Sequence, residues 1–353
     1  MSGRPASRGR AGYPVDRGPR GCHDGRVHIL ILGGTRFLGR AITEAALGRG
    51  DRVTLFNRGL SGPGLFPGIE TVTGDRTAGL SGAAGRPWDA VIDVAGYDPQ
   101  VVELSARAFS ETAGRYVFVS TCSVYADQSS RAGQLEDAPV LELRDGLSAA
   151  EELYGPRKAA AERVVAGLYG DRALIARPGL IVGPHDPTDR FCYWPRRIAR
   201  GGTVLAPGDP GTPVQFIDVR DLAGWISDAV HGGRGGLFNL VGQPMPLGEL
   251  LAACKAATFS DADLRWVASD QLLAAGVSPW MGVPLWIGDP QEAQGFGDVD
   301  NARAVAAGLA LRPVAETIRD TLAWDLGRGG PPPGAEGLTE AEEQRLLALA
   351  GHR

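Results

Sequence analysis

Short apolar runs alternate with stretches of helical spacing along the first half of the chain. Residues 27–32 are apolar except for one histidine, as in a strand buried on both faces, and residues 37–47 have the spacing of a helix. Further short apolar or β-branched runs, separated by loops or helices, lie at 53–56, 71–73, 90–92, 116–119 and 173–176, and the clearest of those helices are at 101–109 and 159–168. The alternation predicts an α/β fold with a doubly wound parallel Rossmann sheet and right-handed crossovers.

The alternation loosens after about residue 178. Short strands predicted at 214–217 and 237–240 mix with helices predicted at 219–230, 246–257 and 314–324, which indicates a smaller C-terminal α/β lobe on the carboxyl edge of the sheet. We therefore predict a disordered basic arm at 1–26, a dinucleotide-binding Rossmann domain at 27–178, an interleaved substrate-binding lobe at 179–328, and a linker with a terminal helix at 329–353.

Composition narrows the class of protein. The 353 residues are 43% hydrophobic, enough for a sizeable core, and a net charge of −5 gives no argument for binding nucleic acid or an anionic membrane. We expect no membrane span and no signal peptide, because long apolar runs are missing. The four cysteines form no Cys-x-x-Cys pair, and the five histidines show no metal-ligand spacing. The expected protein is cytoplasmic, with free thiols and no metal.

A glycine-rich turn follows the first predicted strand and opens the first predicted helix. It reads Gly33-x-x-Arg36-x-x-Gly39, where one glycine permits a tight turn and the other permits close packing of the helix on the strand. The free N–H groups of the helix N-terminus would hold a pyrophosphate. The predicted dinucleotide contacts in this turn are Gly33, Thr35, Arg36, Phe37, Leu38 and Gly39.

The second predicted strand ends at Asn57-Arg58, where NAD enzymes usually place an acid for the ribose hydroxyl. An arginine instead of an acid suits a 2′-phosphate, so the sequence favours NADP(H), with NAD(H) still possible. The further predicted cofactor contacts, which follow later strands, are Asp75, Arg76, Ala95, Gly96 and Pro178, with Asp75 facing the adenine. Asp93, which precedes Ala95, has no role that the sequence explains.

Tyr154 and Lys158 are the candidate acid/base pair. They stand four residues apart, on one face of a helix that we predict to begin at Tyr154, with Pro156 in its first turn. A free tyrosine has a pKa near 10, and a neighbouring ammonium favours the phenolate. Lys158 is also a candidate cofactor contact. Thr121, at the end of the fifth predicted strand, would orient a substrate carbonyl.

Together these motifs resemble the extended, partly atypical short-chain dehydrogenase/reductases, often called NAD-dependent epimerase/dehydratases. The resemblance covers residues 27–325. It implies that Tyr154 is the catalytic acid/base and Lys158 its partner, and that Thr121, four residues before Tyr125, is the hydroxyl position, with Ser123 facing the substrate. Extended members are commonly dimers, so the resemblance also implies a homodimer.

Three positions depart from the pattern of the sugar-nucleotide epimerases. Leu180 stands where they carry an asparagine that contacts the substrate, and Val214 where they carry an arginine for the nucleotide phosphates. Both changes argue against a nucleotide-sugar substrate. Arg36 replaces the middle glycine. The resulting motif resembles an atypical branch that includes bacterial proteins labelled as isoflavone-type reductases and chloroplast stem-loop RNA-binding proteins.

The sequence thus favours an NADP(H)-dependent oxidoreductase that moves hydride between nicotinamide and a carbonyl or carbinol carbon of a small metabolite. An epimerase or dehydratase that retains NAD is the alternative, and an RNA-binding or regulatory Rossmann scaffold is a second. Residues 183–191, with Tyr193 and Trp194, are predicted to line the substrate pocket. The predicted substrate contacts are Tyr97, Ser123, Leu180, His185 and Arg190.

Overall fold

The computed structural model describes residues 26–62, 64–127, 133–288 and 297–350. The predicted basic arm lies, apart from Arg26, outside these residues. Seven parallel strands form the central sheet in the order β11-β6-β5-β4-β1-β2-β3. They are β1 (His28–Leu32), β2 (Arg52–Asn57), β3 (Glu70–Thr73), β4 (Trp88–Asp93), β5 (Ala113–Val119), β6 (Ala173–Pro178) and β11 (Gly236–Leu240). This order is that of a doubly wound Rossmann sheet, as the apolar pattern predicts.

Helices cover both faces of the sheet because its central strands are apolar on both sides. Helices α1 (Phe37–Gly48) and α5 (Val219–His231) pack together on one face, and α2 (Pro99–Phe109) and α3 (Ala150–Tyr169) on the other. Every residue from Ile29 to Leu32 is buried. The chain order reverses between β1 and β4, which places a crevice at their carboxyl ends.

The second lobe has its own apolar core, built around Phe191, Trp194 and Leu250. Its short strands are β7 (Leu180–Val182), β8 (Thr203–Pro207), β9 (Pro213–Val214), β10 (Phe216–Asp218), β12 (Met245–Pro246) and β13 (Asp263–Val267). Its helices are α4 (Tyr193–Ala199), α6 (Leu247–Thr258), α7 (Ser269–Ala274), α9 (Val314–Gly327) and α10 (Glu340–Ala350), whereas α8 (Ala302–Ala306) packs against β11 of the central sheet.

Two local predictions were wrong. Helix α3 begins at Ala150 rather than at Tyr154, so Pro156 lies inside the helix instead of in its first turn. The predicted strand at 214–217 is two strands, because Gln215 interrupts it: β9 pairs with β12 and β10 pairs with β7. The Gln215 amide donates instead to the carbonyl oxygens of Gly242 and Val299, both at 2.9 Å.

Candidate active site

The glycine-rich turn is as tight as its sequence suggests. Gly33 has a φ of 116°, and a Cβ there would come within 2.6 Å of Val94 Cγ2. A Cβ on Gly39 would lie 2.7 Å from the backbone nitrogen of Gly34. The turn therefore cannot carry side chains at these positions without moving, and its backbone is open to close approach by a ligand.

The N-terminus of α1 faces the same crevice and suits an anion. Arg36 is the N-cap residue, but no side-chain hydrogen bond caps the helix, and its first turn contains no acid. Free N–H groups and the positive end of the helix dipole are thus available to a pyrophosphate. The crevice encloses about 720 Å³ and extends from this turn past Arg58 to Lys158. These residues fit a bound dinucleotide.

The crevice is lined by every predicted cofactor contact except Gly96. The lining ones are Gly33, Thr35, Arg36, Phe37, Leu38, Gly39, Asn57, Arg58, Asp75, Arg76, Ala95, Lys158 and Pro178. Gly96 is buried beneath the crevice, where a Cβ would lie 2.7 Å from both Phe118 and Val102. The prediction for Gly96 was therefore wrong in its reason: the glycine is required by packing, not by the cofactor.

Asp93 has a structural role that the sequence did not reveal. Its carboxylate accepts two hydrogen bonds of 2.8 Å from the Arg76 guanidinium, one of 3.0 Å from Tyr116 and one of 3.1 Å from the backbone N–H of Ala95. Arg76 is thus held by Asp93 while it lines the crevice, and its use as a cofactor contact stays a prediction. Asp75 remains at the crevice, where its carboxylate accepts hydrogen bonds from Thr77.

Thr121, Tyr154 and Lys158 meet at the inner end of the crevice. Strand β5 delivers Thr121, and α3 presents Tyr154 and Lys158 one turn apart. Tyr154 shares a side-chain hydrogen bond with Thr121. The Lys158 ammonium donates to the carbonyl oxygen of Val119 at 2.7 Å, and it lies 4.9 Å from the ring centroid of Tyr97. A hydroxyl pair and a buried cation therefore converge where the nicotinamide end of a dinucleotide would lie.

Burial shifts both titratable groups toward their neutral forms. Loss of water raises the pKa of Tyr154, although the hydrogen bond with Thr121 and the charge of Arg190 oppose the rise. Burial lowers the pKa of Lys158 to about 8, and the Asp93 charge opposes that shift.

Two cavities adjoin Tyr154, and the inner one also reaches Thr121 and Phe37. The inner cavity, of about 280 Å³, is lined by Thr121, Ser123, Tyr154, Leu180, Asp186, Arg190 and Trp280, among others. An outer cavity of about 1200 Å³ shares Ser123, Tyr154, Arg190 and Trp280 with it. Of the predicted substrate contacts, Ser123, Leu180 and Arg190 thus line the inner cavity, whereas Tyr97 lines the cofactor crevice beside Tyr154.

Other predicted pocket residues point elsewhere. His185 lies between α1 and α9, with its Nδ1 3.3 Å from an Arg40 nitrogen and its ring 5.2 Å from that of Trp324, so its assignment as a substrate contact is corrected. Trp194 is fully buried and donates to the carbonyl oxygen of Pro284. Trp280 takes the place in the pocket that we expected for Trp194. The segment around Trp280 carries no motif from which its position in the pocket could be predicted.

Among the described residues, one cluster contains side chains of the kinds that can bind a metal ion. Oxygen and sulfur atoms of Asp189, Cys192 and Asp325 lie within 4.8 Å of one another. Arg196 and Arg328 form ion pairs with both carboxylates, which neutralises the cluster. Burial also raises the pKa of the Cys192 thiol, away from the thiolate that a metal requires. The cluster is a buried ion-pair network that ties α4 to α9.

This fold and site define an NAD(P)-binding Rossmann enzyme. The profile of the NAD dependent epimerase/dehydratase family matches residues 99–239. The chain is 30% identical over 269 residues to the 2-alkyl-3-oxoalkanoate reductase of Stenotrophomonas maltophilia, an alignment covering 65% of this chain and 76% of that protein. The chain belongs to this family, the extended short-chain dehydrogenase/reductases, and is an enzyme that uses a nicotinamide cofactor.

Two further proteins are similar to it. The chloroplast stem-loop binding protein of 41 kDa b from Arabidopsis thaliana is 26% identical over 259 residues, covering 67% of this chain and 65% of that protein. The structure of UDP-glucuronic acid 4-epimerase from Bacillus cereus, in complex with NAD, superposes with a TM-score of 0.61 at 14% identity, covering 84% of this chain and 98% of the other. The latter likeness confirms the fold.

No helix within the described residues is long and apolar enough to cross a membrane. Several predictions from the sequence stay predictions. They are the cytoplasmic location, the homodimer, the small-molecule substrate without a nucleotide, and the absence of membrane and nucleic-acid partners.

Proposed function

We propose that this protein is an NADP(H)-dependent reductase that transfers hydride between the nicotinamide and a carbonyl or carbinol carbon of a small metabolite. One observation carries the proposal: Thr121 and Tyr154 line both the cofactor crevice and the inner cavity. A carbonyl group held there has the hydroxyl pair on its oxygen and the crevice at its carbon. The reductase activity named for the Stenotrophomonas relative supports the same reaction class.

The position of each residue in the site determines its proposed role in the reaction. When bound, the reduced nicotinamide supplies the hydride to the carbonyl carbon. The Tyr154 hydroxyl gives its proton to the carbonyl oxygen as the C=O π bond breaks, so a C–H and an O–H bond form and a phenolate remains. Thr121 donates a hydrogen bond to the same oxygen. Lys158, a buried cation on the same helix, stabilises the phenolate until it recovers a proton from water.

The preference for NADP(H) is argued from the end of β2. Arg58 is exposed and lines the crevice, together with Arg36 from the glycine turn. Asn57 replaces the usual acid, and its side-chain oxygen accepts a hydrogen bond of 2.8 Å from the Gly59 N–H. A 2′-phosphate at this point would meet guanidinium groups and no carboxylate from β2.

Arg58→Ala should weaken NADPH binding by about 10-fold or more and change NADH binding by less than about 2-fold, because only NADPH carries the phosphate. Calorimetric titration of each nucleotide measures this. Arg52→Ala is the matched control: Arg52 is exposed at the other end of the same strand and should alter neither affinity. Equal losses for both nucleotides in Arg58→Ala would contradict the phosphate assignment.

The same preparation decides between the alternatives. The purified protein is denatured and the released nucleotide is identified. Release of NAD in a stoichiometric amount would favour an epimerase or dehydratase that retains its cofactor. Salt-sensitive RNA binding without binding of either nucleotide would instead favour the scaffold function suggested by the name of the chloroplast relative. Exchangeable NADPH supports the reductase.

A further inference from the structure

Asp186 is a buried carboxylate in the wall of the inner cavity. It follows β7, and its backbone N–H donates to the carbonyl oxygen of Gly183 at 3.3 Å. Its Oδ1 accepts two hydrogen bonds from Thr188, one from the backbone N–H at 2.8 Å and one from the hydroxyl at 2.7 Å. These two bonds fix the orientation of the carboxylate.

The second oxygen, Oδ2, is buried and has no hydrogen-bond partner within residues 26–62, 64–127, 133–288 and 297–350. A buried carboxylate oxygen without a donor is costly, and loss of water raises the pKa of Asp186 to about 6. The charged and titratable groups around it are Arg190, Asp189 and the Cys192 thiol. None of these three groups donates a hydrogen bond to Oδ2.

The position of Asp186 relates it to the reaction. It shares the inner cavity, of about 280 Å³, with Thr121 and Tyr154, and much of the remaining wall is apolar, including Leu180 and Trp280. A substrate whose carbonyl oxygen lies on the hydroxyl pair therefore places its neighbouring atoms in the cavity that contains Asp186. A hydrogen-bond donor on those atoms would complete the coordination of Oδ2.

The charges around Asp186 limit which hydrogen-bond donor a substrate can place beside it. Arg190 lines the same cavity, and its charge, although paired with Glu336 at 2.9 Å, acts on Asp186 and disfavours an ammonium group nearby. Asp186 itself disfavours a carboxylate at this position. A neutral hydroxyl satisfies both conditions. The outer cavity, which shares Tyr154 and Arg190 with the inner one, leaves room for the rest of the molecule.

We propose that Asp186 is a specificity residue that accepts a hydrogen bond from a substrate hydroxyl, so that the substrate class is hydroxyketones and the corresponding diols. This inference rests on the proposed reductase function and adds the group that the enzyme recognises beside the reacting carbon. A hydrogen bond to a charged acceptor in a buried site discriminates strongly against an analogue that lacks the donor.

The test compares ketones with their hydroxylated counterparts under NADPH: 2-butanone with 3-hydroxy-2-butanone and 4-hydroxy-2-butanone, and cyclohexanone with 2-hydroxycyclohexanone. For the native protein we expect kcat/KM to be about 10-fold or more higher for a hydroxylated member, mainly through KM. Asp186→Asn should bring that ratio to within about 2-fold of unity, since the neutral amide is a weaker acceptor.

Two variants complete the design. Thr188→Val keeps the carboxylate but removes one bond that orients it, so the ratio should fall part of the way. Asp209→Asn is the matched control: this aspartate accepts a hydrogen bond from the Gly211 N–H in an exposed turn outside the cavities, and its replacement should leave the ratio unchanged. Melting temperature and NADPH affinity show whether each variant is folded.

If Asp186→Asn does not fold, the pH dependence of the native protein gives the answer. The hydroxyl preference should decline as the pH falls through about 6, because protonation of Asp186 removes the anionic acceptor. A pH-independent preference, a preference retained in a folded Asp186→Asn, or no preference in the native protein would overturn the inference. If the protein binds NADPH but reduces none of these ketones, both the proposed reductase function and this inference are overturned.

Discussion

Replacing Tyr154 with phenylalanine should lower kcat for NADPH-dependent ketone reduction by about 10²- to 10⁴-fold. The phenol lies with Thr121 at the boundary between crevice and cavity, and the ring itself remains in the variant. Cofactor affinity should therefore change by less than about 2-fold. Steady-state kinetics with the best ketone and titration with NADPH measure the two effects separately.

Tyr169→Phe is the matched control for this variant. Tyr169 lies on the same helix, but its hydroxyl donates to the carbonyl oxygen of Ala106 at 2.9 Å, within the buried contact between α2 and α3. Its loss should cost about 1 kcal/mol of stability and leave kcat unchanged. A Tyr154→Phe enzyme with native kcat would show that another group protonates the substrate, and the assignment of Tyr154 as the acid would be wrong.

The pH profile of the native enzyme adds an independent readout. Burial raises the pKa of Tyr154, so the phenol is protonated at neutral pH and ready to donate. Reduction should therefore not require a high pH. Oxidation of an alcohol needs the phenolate and should be favoured as the pH rises, and Tyr154→Phe should lose this dependence.

Local sequence patterns were sufficient to predict the sheet and most of the residues that line the cofactor crevice. Apolar runs give the strands, and the spacing of Gly33 and Gly39 gives the turn, because both depend on neighbours within one strand-turn-helix unit. The spacing of Tyr154 and Lys158 likewise places both side chains on one face of α3 whatever the rest of the fold does. These are the parts of the site that periodicity determines.

Contacts between distant segments could not be predicted in this way. The sequence singled out residues 183–191 and predicted His185 and Arg190, but not Asp186, as substrate contacts. The actual neighbour of His185, Arg40, is 145 residues away along the chain. Whether His185 or Asp186 faces the cavity is decided by how this loop packs between α1 and α9, which a single sequence does not show. The same holds for Gly96, whose neighbours lie on β5 and α2.

Substitution of Asp93 is expected to reduce the stability of the protein most, because its carboxylate is fully buried and accepts hydrogen bonds from three partners. Asp93→Asn would leave the Arg76 guanidinium, whose side chain is only 12% exposed, without a compensating charge. Removing one member of a buried ion pair costs about 3–5 kcal/mol. We expect a loss of that size in the free energy of unfolding, measured by urea denaturation.

The exposed pair of Glu70 and Arg86 is the matched control, because its geometry is equally good while its environment differs. Two nitrogens of Arg86 lie 2.7 and 2.8 Å from the Glu70 oxygens, but the Glu70 side chain is 44% exposed. Glu70→Gln should cost less than about 1 kcal/mol. The double variant Arg76→Gln with Asp93→Asn should recover part of the loss seen in Asp93→Asn, since no uncompensated charge remains buried. If the double variant is as unstable as the sum of its single variants, the penalty comes from lost packing and hydrogen bonds rather than from an isolated charge.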